Sequence, residues 1–234
     1  MRTRNLEFLA YEESPIGAIG LRRRELLSEP GTVITEITLD HMMLMSSCNV
    51  ASEEALSRVA LARHGGRDLD VLVGGLGLGH TAFEALRSDA VARLEVMELL
   101  PQVIGWLEAG LLPLGEALHA DARFSVLEGD VYDTLWQPPP VGRSPRDLIL
   151  VDVDHSPDET LAPASASFYT EEGLRRAKRH LAADGVLGIW SYSECPAFEA
   201  TLREVFTEAH VEPVEFWNRV MAEDETNFLY LGHS

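Results

Sequence analysis

The stretch Leu69-Asp70-Val71-Leu72-Val73-Gly74 runs without a break into the glycine turn Gly75-Leu76-Gly77-Leu78-Gly79, and then into helix-forming residues from Thr81 to Leu86. A short apolar run of this kind suits a strand covered on both faces, and a helix directly after it carries the chain back across a sheet. The same alternation recurs downstream. Leu94–Glu98 is strand-like and precedes a helix from about Pro101, and Phe124–Leu127 leads into Glu128-Gly129-Asp130. Asp147-Leu148-Ile149-Leu150-Val151-Asp152 is a buried strand ending on a carboxylate. A helix over Glu171–Leu181 stops at Ala183-Asp184-Gly185, the strand Val186–Trp190 follows, and a helix near Ala197–Ala209 precedes late strands at about Val211–Trp217 and Asn227–Leu231. The pattern predicts a Rossmann-like, doubly wound α/β fold whose mostly parallel sheet is covered on both faces. Gln137–Gly142, rich in proline, is expected to be a surface connection.

Residues 1–50 read differently from 51–234. Ile16–Arg22, Thr32–Leu39 and Met42–Met45 are short apolar runs, two of them β-branched, separated by the turn signal Ser28-Glu29-Pro30-Gly31. They predict a small antiparallel β unit of about three strands, with the methionines as core filler. From Ala51 the pattern is helical: Ser52 is suited to capping, Glu53 and Glu54 to the positive helix start, and His64-Gly65-Gly66 ends it.

In a sheet of this type, ligands sit beyond the carboxyl ends of the strands near the switch point. Three features fall there. At Gly75, Gly77 and Gly79 the absent side chains let the backbone approach a ligand, although glycine turns also serve tight packing. Glu98 closes the second strand about 20 residues further on, where a carboxylate can accept both hydroxyls of an adenosine ribose; it is otherwise a solvated strand-end acid. Asp130 follows the third strand and suits either an adenine amino group or a turn or helix cap. The turn lacks the Gly-Lys-Ser/Thr of a phosphate loop and is not G-x-G-x-x-G, so adenosine without phosphate fits better than a dinucleotide. A sulfonium cofactor of the S-adenosylmethionine type is expected.

The chain carries 19 basic and 38 acidic residues, a formal net charge of −19. That field disfavours nucleic acid, whose binding needs cationic side chains, and favours cations, polyamines among them. No apolar run approaches the roughly 20 residues of a membrane span. The opening MRTRNLEFLAYEES reaches too few apolar residues to be a signal peptide. Cys48 and Cys195 form no metal-type pair or disulfide framework, so a cytoplasmic protein is expected. No metal is expected either. Asp152, Asp154 and His155 lie within four residues of one another and suit a general base, a metal loop or a purely structural turn. His80 either contacts a ligand or merely opens its helix. Tyr169, Trp190 and Tyr192 are either core aromatics or the lining of an amine pocket by cation–π contact.

The order Val71–Gly79, Glu98, Gly129-Asp130 and Asp147–Asp152 resembles the spermidine synthase (polyamine aminopropyltransferase) family, in particular its short bacterial spermidine-synthase-like members. Phe168-Tyr169 and Leu181–Leu187 are similar to the segment after that family's active-site loop. The resemblance is strongest over residues 69–190. It implies a class I methyltransferase-like fold with a final antiparallel strand, a homodimer, and decarboxylated S-adenosylmethionine as aminopropyl donor to a small amine. It also implies that Glu98 holds the ribose, Asp130 the adenine, and Asp152 takes the proton of the attacking amine. Two departures stand out. The family's turn carries an aspartate that binds the donor's amine, whereas Gly77 and Leu78 stand here; and in Asp152-Val153-Asp154 the second carboxylate comes one position early. An S-adenosylmethionine-dependent methyltransferase and a catalytically silent adenosyl- or polyamine-binding protein remain alternatives.

Overall fold

A computed structural model describes residues 6–161 and 163–234. The first five residues, part of the segment read as no signal peptide, lie outside the described residues. Among the described residues the strands form two sheets. The smaller is antiparallel throughout, in the order β1 (Leu6–Ser14), β2 (Gly17–Glu25), β3 (Val33–Leu39), β4 (Met42–Ser46). Four strands stand where three are expected. The additional one, β1, is an edge strand with no β-branched residue and three glutamates, so it carries no alternation to read. Glu36, fully buried on β3, accepts from Arg22 and Arg24 of β2 at 2.8 and 2.9 Å, which pairs a charge that burial would otherwise make costly.

Helix α1 (Ala51–His64) leads to β5 (Leu69–Gly74), α2 (His80–Leu86) and β6 (Val91–Glu98). Next come α3 (Pro101–Glu108), α4 (Gly115–Ala120), β7 (Phe124–Glu128), α5 (Val131–Trp136) and β8 (Arg146–Val151). A 3₁₀ turn over Pro163–Tyr169 precedes α6 (Glu171–Lys178), β9 (Leu181–Ser191), α7 (Pro196–Val205), β10 (Glu208–Asn218) and β11 (Glu223–His233). The large sheet has the order β10-β11-β9-β8-β5-β6-β7. The pairs among β5 to β9 are parallel, while β11 is antiparallel to both β9 and β10. Strand order reverses between β5 and β8, so the crevice of a doubly wound sheet opens there.

Alternation along the central strands explains the two covered faces. Val71, Val73, Leu148 and Leu150 point into a core shared with α1 to α4, which also takes Ile19, Leu21 and Ile37 from the small sheet. Leu72, Ile149 and Val151 point the other way, against residues of α5, α6 and α7. Each such side chain contributes roughly 1.5–3 kcal/mol when fully buried, so these strands form a stiff frame behind the ligand-facing loops.

Some boundaries differ from expectation. Ser52 does not cap α1: the cap position is Val50, and Ser52 is 2% exposed inside the structure. Helix α6 ends at Lys178 and β9 begins at Leu181, because Arg146 pairs with Leu181 while Leu148 pairs with Val186. The intervening Ala183-Asp184-Gly185 is therefore absorbed as a bulge within a strand. Helix α7 stops at Val205, where pairing with β11 takes over the residues expected to be helical. The short α4 went unread. The Pro138–Gly142 connection is exposed, as expected.

Candidate functional site

A cleft of about 330 Å³ opens at the carboxyl ends of β5, β6, β7 and β8, within the range of small-molecule sites. The small sheet supplies one wall through Ile19, Ile37 and Met43 to Ser46, and β10–β11 supply another through Phe216, Asn218, Glu225 and Asn227. The expectation that the methionines fill the core is corrected for Met42 and Met43, which are 75% and 52% exposed, while Met45 packs against the core and lines the cleft at once.

The glycine turn forms its floor. Gly75 has φ +89°, and a Cβ there would lie 2.6 Å from the carbonyl oxygen of Asp152. Only glycine allows β5 and β8 to end so close together. Gly77, at φ +50°, would set a Cβ 2.5 Å from the Met45 thioether. Gly75 and Gly77 line the cleft; Gly79 caps α2 and packs on Leu118 outside it. His80 opens α2 and is not among the lining residues; burial pushes its pKa down, and its buried Nε2 has no partner.

Glu98 ends β6 with both carboxylate oxygens turned to backbone: Leu76 N–H donates to Oε2 at 2.7 Å and Leu100 N–H to Oε1 at 2.8 Å. Burial raises its pKa, and backbone N–H bonds oppose that rise. It therefore fixes the turn from below, with lone pairs left over for ligand hydroxyls. Asp130 both lines the cleft and caps α5, accepting from Tyr132 N–H at 2.8 Å. The two sequence readings of Asp130 are thus compatible in one side chain.

Beyond β8 the three clustered residues separate. Asp152 faces the cleft and accepts from the Thr81 hydroxyl at 2.5 Å; burial raises its pKa to about 6, against the pull of that hydrogen bond. Asp154 is 2% exposed and heavily committed. Its Oδ2 accepts from the hydroxyls of Tyr132 and Tyr169 at 2.7 and 2.9 Å, and its Oδ1 from Leu161 N–H at 2.6 Å. Burial lifts both phenols well above their ordinary range, so they remain donors. His155 lines the cleft with its ring edge-on to Tyr192, 6.4 Å between centroids. The Tyr192 hydroxyl donates to Glu159 at 2.8 Å. Tyr169 sits behind Asp154 and is not among the cleft-lining residues, whereas Tyr132 is.

Sequence reasoning missed Glu53, placing it only at a helix start. The first turn of α1 points at the strand ends and brings Glu53 into the cleft, where burial and then the charge of Asp152 push its pKa up to about 7. Nothing in the local pattern marks it, since acidic residues are common in first turns. Among the described lining residues there are six carboxylates (Glu53, Glu98, Asp130, Asp152, Asp154 and Glu225) and no lysine or arginine. A metal-like group lies elsewhere, at the opposite ends of the strands, where ligand atoms of His64, Asp147 and Asp184 fall within 4.8 Å of one another. Gly66 N–H donates to His64 Nδ1 at 3.2 Å, which occupies that lone pair, and Nε2 lies 3.9 Å from Asp147.

Taken together, the strand order and the glycine turn define a methyltransferase-like α/β fold, with acids gathered beyond the strand ends. No protein-family model matches the chain. Polyamine aminopropyltransferase 2 of Streptomyces coelicolor is 34% identical over 138 residues, which is 58% of this chain and 23% of that protein, so the match spans under a quarter of the relative's length. A spermidine synthase solved in complex with the transition state analogue AdoDATO superposes with a TM-score of 0.75, at 18% identity, over 97% of this chain and 73% of the other. Spermidine synthase from Thermotoga maritima gives 0.72, at 18% identity, over 97% and 72%. The chain is spermidine synthase-like: it has the fold of these enzymes and shares part of its sequence with an aminopropyltransferase.

Proposed function

We propose that this chain transfers the aminopropyl group of decarboxylated S-adenosylmethionine to a small amine. The observation that carries this reading is a cleft lined by six carboxylates and by no lysine or arginine among the described residues. Such a site favours a donor bearing an ammonium and disfavours the carboxylate of ordinary S-adenosylmethionine. Glu98 takes the ribose hydroxyls and Asp130 the adenine amino group. Asp152 orients the acceptor amine and receives its proton. The amine nitrogen attacks the carbon next to the sulfonium and the carbon–sulfur bond breaks. Its electron pair stays on sulfur as neutral methylthioadenosine, and the proton passes to Asp152. Asp154, tied to two tyrosines, positions the loop that carries Asp152 and His155. Tyr192 and His155 supply aromatic faces for the acceptor cation.

We also assign the protein to the cytoplasm, in keeping with its two unpaired cysteines, and to a homodimer, for which exposed Phe8, Tyr11 and Val33 on the small sheet offer apolar surface. Methyl transfer from S-adenosylmethionine is the second reading, favoured by a glycine turn without a carboxylate. The two part in one experiment. Purified protein given decarboxylated donor and a panel of diamines should release methylthioadenosine. Calorimetry favouring the carboxylate-bearing cofactor by about tenfold or more (~1.4 kcal/mol) would overturn the aminopropyl assignment.

A further inference from the structure

Glu53 is held by a hydrogen-bond chain that uses every proton available to it. Trp190 Nε1 donates to Ser52 Oγ at 2.9 Å, and Asn227 Nδ2 donates to the same oxygen at 2.8 Å. With both lone pairs of Ser52 taken, its single hydroxyl proton points to Glu53 Oε2, at 2.9 Å. The carboxylate is therefore fixed by groups from β9 and β11, in a residue that lines the cleft. One helical turn further along α1, the Ser57 hydroxyl donates to the Thr81 carbonyl at 2.7 Å, while the Thr81 hydroxyl reaches Asp152. Residues four apart share a helix face. Glu53 is accordingly on the face of α1 that carries Ser57, close enough to Asp152 to feel its charge, and lines the same cleft as Gly75, Gly77, Asn218 and Glu225.

Two carboxylates here line one cleft with no lysine or arginine among its described lining residues. Burial raises both, and Glu53 ionises against the charge of Asp152. A ligand cation between them would restore the charges that burial disfavours. We propose that Glu53 grips the primary ammonium at the end of the donor's aminopropyl arm, leaving the free oxygen of Asp152 to the acceptor amine, and so supplies from α1 the amine-binding carboxylate that the Gly77-Leu78 turn does not carry. This rests on the aminopropyl-donor reading above and adds to it the residue that selects the donor.

The test is calorimetry with decarboxylated S-adenosylmethionine and with methylthioadenosine, which lacks the aminopropyl arm, on the wild type, Glu53→Gln and Glu53→Asp. Wild type should bind the amine-bearing donor at least about tenfold more tightly than methylthioadenosine. Glu53→Gln should remove most of that preference while leaving methylthioadenosine affinity within about twofold, which also shows that the variant is folded. Glu53→Asp, keeping the charge, should retain part of the preference. If wild type prefers the donor and Glu53→Gln keeps the full preference, the assignment of Glu53 fails while the donor reading stands. If Glu53→Gln alters only the KM of the acceptor amine, Glu53 belongs to the acceptor and the proposal is overturned. If wild type shows no preference, it is the donor reading that fails.

Discussion

Glu53→Gln should make the ligand-free protein more stable, and by an amount that depends on pH. The carboxyl of Glu53 rises from its ordinary 4.5 to about 7 on folding, through burial and the charge of Asp152. At about 1.36 kcal/mol for each tenfold change, holding it ionised costs the folded state about 3 kcal/mol. The sign follows from proton binding. Between pH 4.5 and 7 the folded protein binds more protons at this site than the unfolded chain, so stability falls as pH rises through that window. Below about 4.5 the group is neutral in both states and the penalty vanishes; above about 7 it is fully present. Glutamine keeps the shape and still accepts from Ser52, but carries no charge. For a chain of this size 1 kcal/mol corresponds to roughly 2–4 °C in Tm, so the variant should melt about 6–12 °C above wild type at pH 8. At pH 5 the difference should shrink to about 2–3 °C. Thermal unfolding followed by circular dichroism at both values, without ligand, measures this directly, and the difference includes the relief of Asp152 from the charge of Glu53. Equal melting temperatures at pH 8 would show that Glu53 is well solvated and that the electrostatic argument is wrong.

Asp152→Asn should abolish methylthioadenosine release in single-turnover assays while leaving methylthioadenosine binding within about threefold, because it removes the proton acceptor and little of the adenosyl contact. Gly75→Ala combines a left-handed φ with a backbone clash on Asp152, so urea unfolding should report a loss of about 2 kcal/mol or more; a neutral result would mean the turn relaxes freely. Tyr169→Phe removes one hydroxyl from the buried Asp154 and should cost about 1.5–3 kcal/mol in the same assay, with a raised acceptor KM as the loop loosens. Donor affinity should rise from pH 5.5 to 8 with release of protons into the buffer, since an ammonium pulls down the elevated pKa values of Asp152 and of Glu53, the latter held up by burial and by Asp152 and Glu54. Calorimetry in buffers of different ionisation heat checks that release.

Much of the frame was legible because two periods decide it. Val71–Val73 and Leu148–Val151 are apolar on both alternations, which only a strand covered on both faces requires, and each ends on a residue with a reason to stop. The glycine turn, Glu98 and Asp130 could be placed at one end of one sheet for the same reason: parallel strands bring all their carboxyl ends together. The edges were less legible. β1 has charged residues on an exposed rim, and β9 swallows Ala183-Asp184-Gly185 as a bulge, so in both places tertiary pairing overrides the local signal. The methionines failed for a related reason, since an apolar side chain reads the same whether it fills a core or lines a cleft.

The chemistry divides along a different line. Asp152, Asp154 and His155 look equivalent in sequence, being titratable groups within four residues, and the structure separates them by what each already holds. Asp154 accepts three hydrogen bonds and is shut in by two phenols kept protonated by burial, so its charge is committed to the loop. Asp152 accepts one bond, from Thr81, and keeps a free oxygen toward the cleft, so it can take a proton from a reactant. Glu53, with no motif around it, resembles Asp152 in this respect: one oxygen accepts from Ser52, and the residue lines the cleft. Hydrogen-bond occupancy, which depends on contacts between residues up to 175 positions apart such as Ser52 with Asn227, is what separates a carboxylate with an oxygen to spare from a structural one. Removing that relay should therefore raise the pKa of Glu53 further, because the Ser52 hydroxyl is one of the bonds that hold it down. Ser52→Ala does so without touching the carboxylate, and it also leaves the Trp190 and Asn227 donors without their acceptor. Its donor affinity should fall and its melting temperature at pH 8 should drop below wild type, opposite in sign to Glu53→Gln; an unchanged melting temperature would show that the Ser52 bonds contribute nothing.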